Sequence, residues 1–204
     1  ISTTDTIPLA RVPWNEPGII MKMLDAGCMG IICPMVSTRE ETQAFVAACR
    51  YPPHGYRSFG PTRAMLYGGP DYAERANDTV VTIAMIETAA AVENLEDILS
   101  VHDLDALYIG PSDLSQSLGA PPRVDLTEPR LVAVIERILA AARSRGVVAG
   151  IHTMSTEYAL RMIEQGFQFV TIQSDARLLA AAAAHTLLEM GRGKSSDPTP
   201  AGPY

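Results

Sequence analysis

The chain has 204 residues, enough for one large domain with a full core. Its composition, 47% hydrophobic and 19% charged, is ordinary for a globular protein, and no apolar stretch is long enough to cross a bilayer. A net charge of −7 offers no cationic track for phosphates, which argues against nucleic acid as partner.

In chain order, six strand-like runs alternate with helical patterns. The first run, IPLARV (7–12), precedes a Pro13-Trp14-Asn15 turn and a helix, with Asn15 read as N-cap, Pro17 in the first turn and Gly27 as the stop. After GIICPMV (30–36), Ser37 or Thr38 caps a helix whose early Glu40 and Glu41 suit the positive end of its dipole. A Pro-, Gly- and Tyr-rich break spans 51–72. TVVTIAMIE (79–87) leads into the helix TAAAVENLEDILS, and LDALYIG (104–110) into a short helix from Ser112. A long amphipathic helix (128–145) precedes GVVAGIH (146–152), and another precedes FQFVTIQ (167–173). Ser174 is read as the cap of the closing helix, whose AAAAA run (180–184) is read as a closely packed face. The tail from 193 to 204 has no core pattern.

The runs are nearly continuous in apolar residues, as expected for a parallel sheet buried on both faces. Two architectures fit: an open doubly wound sheet and a (β/α)8 TIM barrel. The barrel is preferred, because polar candidates recur at the C-terminal ends of several strands rather than at one switch point. A closed barrel has eight strands, so the first one or two βα units are expected to lie outside this sequence. Residues 1–192 then form a single barrel domain and 193–204 a flexible tail.

Glu87 and Asp113 hold corresponding places, each after a strand-like run and before a helix-like one. A parallel fold puts both at one end of neighbouring strands. Two acids converging there suit a hard divalent cation; alternatively, each satisfies free N–H groups at a helix start. Gly110-Pro111-Ser112-Asp113 adds a close backbone approach at Gly110 and open N–H groups at Ser112 and Asp113, an anion site. Arg11 at a strand end can clamp a carboxylate bidentately or make a surface ion pair. His152 is read either as facing the site or as a structural histidine. Asp25, in a helix-end LDAG turn, either ends the helix in solvent or orients a catalytic histidine. Lys22 and Lys194 are the only lysines, and neither ends a strand, so a Schiff-base route lacks its nucleophile. Cys28, Cys33 and Cys49 are not spaced as a zinc site, and a reducing, cytoplasmic setting is expected.

The segments PLARVPWNEP, LDAGCMGIICPMV, YPPHGYRSFGP, IETAAAVENLEDIL, LYIGPSDLS and GFQFVTIQSDARLL together resemble the metal-dependent (class II) pyruvate aldolases, the HpcH/HpaI aldolase and citrate lyase-like family. The resemblance covers nearly the whole chain and implies a barrel of the phosphoenolpyruvate/pyruvate type. It implies an enzyme that reversibly cleaves a 4-hydroxy-2-oxo acid to pyruvate and an aldehyde through a metal-stabilised enolate. It assigns the cation (Mg2+, Mn2+ or Co2+) to Glu87 and Asp113, pyruvate to Arg11, Gly110, Ser112 and Asp113, and catalytic roles to Arg11, whose charge faces the enolate, and to Asp25 as partner of the histidine. It also implies a homo-oligomer, a hexamer built as a dimer of trimers with helix exchange, acting on a small 2-oxo acid with no membrane or nucleic-acid partner. Two departures stand out. The family's catalytic histidine lies in an EH motif upstream of the matched region, and Met85 stands where glutamine is common. Alternatives from this reading are a citrate- or malyl-CoA-lyase-like enzyme and a silent keto-acid-binding paralogue.

Overall fold

In the computed structural model, which describes residues 3–191, six strands pair in chain order as one all-parallel sheet. The strands are β1 (Leu9–Arg11), β2 (Gly30–Cys33), β3 (Val81–Ile86), β4 (Ala106–Ile109), β5 (Val148–Thr153) and β6 (Phe169–Ile172). Between and after them run α1 (Pro17–Asp25), α2 (Arg39–Cys49), α3 (Thr62–Gly68), α4 (Tyr72–Thr79) and α5 (Ala89–Glu93). The helices continue with α6 (Leu95–Leu99), α7 (Pro111–Ser117), α8 (Pro129–Ser144), α9 (Thr156–Gln165) and α10 (Asp175–Glu189). None of the described helices is long and apolar enough to cross a membrane. The tail expected at 193–204, with Lys194, lies outside the described residues.

Side chains alternate between sheet faces, and the parallel register keeps partners on the same face. One face carries Ile31, Cys33, Ala84, Ile86, Leu107, Ile109, Ala149 and Ile151, which pack with helical residues such as Ile20, Phe45, Leu95, Ile135 and Met162. The other carries the register row Arg11–Ile32–Ile83–Ala106–Val148, then Met85–Tyr108–Gly150–Phe169, then His152–Thr171. Its apolar members form a separate cluster to which no helix contributes. A doubly wound sheet would have helices on both faces. Helices on one face alone, around a sheet whose other face packs on itself, make a curled half-barrel, and the open-sheet alternative falls.

Local chemistry sets the element starts. Thr38 accepts from Glu41 N at 3.2 Å, and the Glu41 carboxylate returns the bond in a capping box. Ser155 caps α9 and Ser174 caps α10. At α1 the cap is Glu16, whose carboxylate accepts from Gly18 N and Ile19 N; Asn15 instead donates its amide to Glu41 O at 3.0 Å. A carboxylate with two backbone donors displaced the expected asparagine.

Three other expectations change. The break at 51–72 contains α3 and the start of α4, whose Gly- and Pro-rich surroundings hid short helical turns. The single helix expected after Glu87 divides at Asn94, whose side-chain amide donates to Ser37 O at 2.9 Å and fixes the chain there. The alanine run is not a packed face within this chain, because no residue of α10 is buried. That helix follows β6, an edge strand whose residues are all only half-buried or exposed, so the fold supplies it no second layer.

Candidate active site

The strand ends converge on a cavity of about 450 Å³ lined by Arg11, Met85, Tyr108, Gly110, Ser112, Asp113, His152, Gln173 and Arg177, among others. This is the C-terminal edge of the sheet, where parallel α/β folds carry their chemistry.

Glu87 follows β3 directly and is 1% exposed. Its Oε1 accepts from Met35 N at 2.8 Å. Met35 holds a φ of 57°, a left-handed conformation uncommon outside glycine, and so turns its N–H to the carboxylate. The other oxygen, Oε2, is buried with no hydrogen-bond partner among the described residues. A buried carboxylate oxygen left without a donor is costly and calls for a physical reason. The reason lies across the β3–β4 gap. A Cβ on Gly110 would stand 2.2 Å from Glu87 Oε2 and 2.9 Å from Met85 Cε, so glycine is required for the β4–α7 turn to pass this close.

The Glu87 carboxyl is raised above its ordinary value chiefly by burial and partly by the charge of Asp113; the Met35 N–H and the Arg11 charge act the other way. Glu87, Asp113 and Arg11 therefore share one electrostatic neighbourhood. Asp113 stands in the first turn of α7, which begins at Pro111 and has no capping side chain. The first N–H groups of such a helix have no partner inside it, so those of Ser112 and Asp113 are open to a ligand.

The fit to a cation rests on that orphaned oxygen. Among the described residues no group of three or more His, Cys, Asp or Glu converges on one point. A cation here would take the Glu87 and Asp113 carboxylates and complete its shell with water and substrate oxygens. That is the habit of Mg2+ and similar hard cations, and the donor set fits.

Of the sequence-derived candidates, Arg11, Gly110, Ser112 and Asp113 line the cavity together, and Glu87 lies beneath Gly110. Asp25 does not join them. It ends α1, and the turn after it returns to the start of the sheet, where Met29 N donates to Pro8 O. There Asp25 accepts from the buried Arg57 at 2.7 Å. Cys33 and Cys49 are no nucleophiles: burial pushes both thiols up to about 12.

The sequence reading missed Tyr108 and Thr171 and left His152 open. Tyr108 OH and Thr171 Oγ1 are in hydrogen-bond contact, and Thr171 Oγ1 also meets His152 Nδ1 at 2.8 Å. The signal that finds them is parity. Tyr108 and Gly110 share a face, as do His152 and Gly150, which sit opposite Thr171 and Phe169.

The profile of the HpcH/HpaI aldolase/citrate lyase family matches residues 1–182. A hydroxypyruvate/pyruvate aldolase of Rhizorhabdus wittichii is 43% identical over 182 residues, 89% of this chain and 72% of that protein. A 4-hydroxy-2-oxo-heptane-1,7-dioate aldolase of Shigella flexneri is 36% identical over 191 residues, 92% of this chain and 71% of that protein. The crystal structure of an HpcH/HpaI aldolase/citrate lyase family protein from Burkholderia cenocepacia superposes with a TM-score of 0.83 at 32% identity, covering 90% of this chain and 73% of that one. With a profile spanning most of its length and relatives of this identity, the chain belongs to the HpcH/HpaI aldolase/citrate lyase family, the class II aldolases.

Proposed function

We propose that the chain reversibly cleaves 4-hydroxy-2-oxo acids to pyruvate and an aldehyde, with Glu87 and Asp113 holding the divalent cation. The observation that carries this reading is Glu87 Oε2, buried without a donor under Gly110 and within the field of Asp113. When bound, a cation such as Mg2+, Mn2+ or Co2+ supplies Lewis-acid charge where an oxyanion develops.

The chain's own groups do the rest. Arg11 binds the 2-oxo acid, its planar fork matching a carboxylate. The open N–H groups of Ser112 and Asp113 hold the carboxylate from the other side. Met85 and the Tyr108–Phe169 ring pair, 5.5 Å apart, form an apolar floor that keeps water from the reacting carbons. Gly110 leaves the space in which Glu87 Oε2 meets its ligand.

Two more βα units would close the curled sheet into the eight-stranded barrel. The strand order, open at β1 and β6, and the coverage of about three quarters of the Burkholderia chain support that closure. The exposed leucines of α10, among them Leu179 at 73% exposure, support assembly with further copies, and we place the chain in a hexamer. Three free thiols suit a reducing compartment, and we place it in the cytoplasm.

A coupled assay of pyruvate release from 4-hydroxy-2-oxo acids tests the reading. Release that stops with a chelator and returns with Mn2+ or Mg2+ supports it. Chelator-insensitive release, or release only from CoA esters, overturns it.

A further inference from the structure

The hydroxyls of Tyr108 and Thr171 fix more than packing. Tyr108 is buried, its phenol pushed up to about 12 chiefly by that burial, and so keeps its hydrogen. Its only hydrogen-bond contact among the described residues is Thr171 Oγ1. With the phenol donating to Thr171 Oγ1, its O–H is satisfied inside the protein. Thr171 then has its single hydrogen left for His152 Nδ1, 2.8 Å away. An imidazole that accepts at Nδ1 carries its hydrogen at Nε2.

The backbone is built for this chain of bonds. Tyr108 and Gly150 are register partners, as are His152 and Thr171. A Cβ on Gly150 would come within 2.9 Å of Tyr108 Cδ2 and of Phe169 Cδ1, so only glycine on β5 lets the phenol cross from β4 to β6. Burial, the largest influence, holds the His152 imidazole below its ordinary value; Asp125 raises it and Arg177 lowers it again. These influences together favour the neutral ring, which lines the cavity and has no protein partner for Nε2 among the described residues.

We infer that His152 Nε2–H reads an oxygen on the aldehyde half of the substrate, so that this chain prefers 2-hydroxyaldehydes to alkyl aldehydes of equal length. The inference rests on the aldolase reading, in which Arg11 and the α7 N–H groups are engaged by the pyruvate half. A donor-only group in the same cavity then calls for an acceptor on the other half, and an alkyl chain leaves it unpaired.

The test uses the intact protein with Mn2+ and pyruvate, comparing glycolaldehyde with the near-isosteric propanal. Expected is a preference in kcat/KM of about tenfold for glycolaldehyde, the scale of one neutral hydrogen bond. His152→Leu should bring the ratio close to one, mainly through KM for glycolaldehyde, and His152→Gln should restore part of it. Separately, 15N-resolved imidazole spectra at pH 7.5, assigned by loss of one histidine signal in His152→Leu, should show the Nε2–H tautomer. Thr171→Val should release it to a mixture. A ratio unchanged in His152→Leu, or an Nδ1–H or imidazolium form in the wild type, overturns this inference and leaves the aldolase reading standing. No turnover with any aldehyde overturns both.

Discussion

At the N-terminal ends of the strands, buried arginines meet carboxylates; at the C-terminal ends, a buried carboxylate oxygen lacks a donor among the described residues. Arg50 donates to Val80 O, Asp103 O and Asp105 Oδ2, while Thr82 N and Oγ1 converge on the same Asp105 oxygen. Arg57 donates to Asp25 and Tyr72 and lies 4.5 Å from the Tyr51 ring centroid. These contacts tie α2 and the 51–61 segment to the sheet's starting edge. Across the sheet, Glu87 Oε2 has no donor among the described residues. One edge pairs buried guanidinium groups with carboxylates, and the other buries a carboxylate with no cationic side chain of the described residues against it.

That contrast gives the variants different signatures. Asp113→Ala should lower kcat/KM by about 10³-fold, roughly 4 kcal/mol of transition-state stabilisation, with an unchanged melting curve in chelator. Mn2+ titration checks the same variant, and near-normal binding would refute the assignment of Asp113. Asp105→Ala, at the other edge, leaves the 2%-exposed Arg50 without its carboxylate. It should cost about 3 kcal/mol of stability in denaturant melts while the folded fraction keeps its kcat. Arg11→Lys retains the charge and loses the fork, and should raise KM for the 2-oxo acid by about 10²-fold with little change in stability. An unchanged KM would mean that Arg11 points elsewhere.

The smallest effect concerns Glu87 without metal. Burial raises its carboxyl, so the folded protein holds that proton more tightly than the unfolded chain does. Stability from this group is greatest below the ordinary glutamate value and is lost as pH rises through the raised one. Glu87→Gln should remove that loss and stabilise the metal-free protein by about 1 kcal/mol at neutral pH, a gain in stability at the expense of function. Melts from pH 4.5 to 8 in chelator check the sign: wild type falling with pH, the variant flatter. A wild type that instead gains from Glu87 ionisation would place the carboxylate in a satisfied environment.

Much of this was legible in the residues. The apolar runs placed all six strands, and the matched positions of Glu87 and Asp113 at strand ends needed no coordinates. Gly110 announced a close approach, although only the geometry shows that Glu87 Oε2 is what it approaches. Asp25 shows the opposite case: nothing in the LDAG turn points to its ion pair with Arg57, because the partner is 32 residues away. The helices α3 and α4 were hidden because short turns among prolines and glycines carry no periodicity. The Tyr108–Thr171–His152 chain was hidden because it spans three strands, and single-strand patterns do not reveal cross-strand register.

The anomalous difference map of crystals soaked in Mn2+ addresses the shared ion itself. A peak bonded to both Glu87 Oε2 and an Asp113 oxygen, at about 2.0 to 2.3 Å, is expected. A saturating soak with no peak there, or with manganese only at the opposite edge of the sheet, would contradict it.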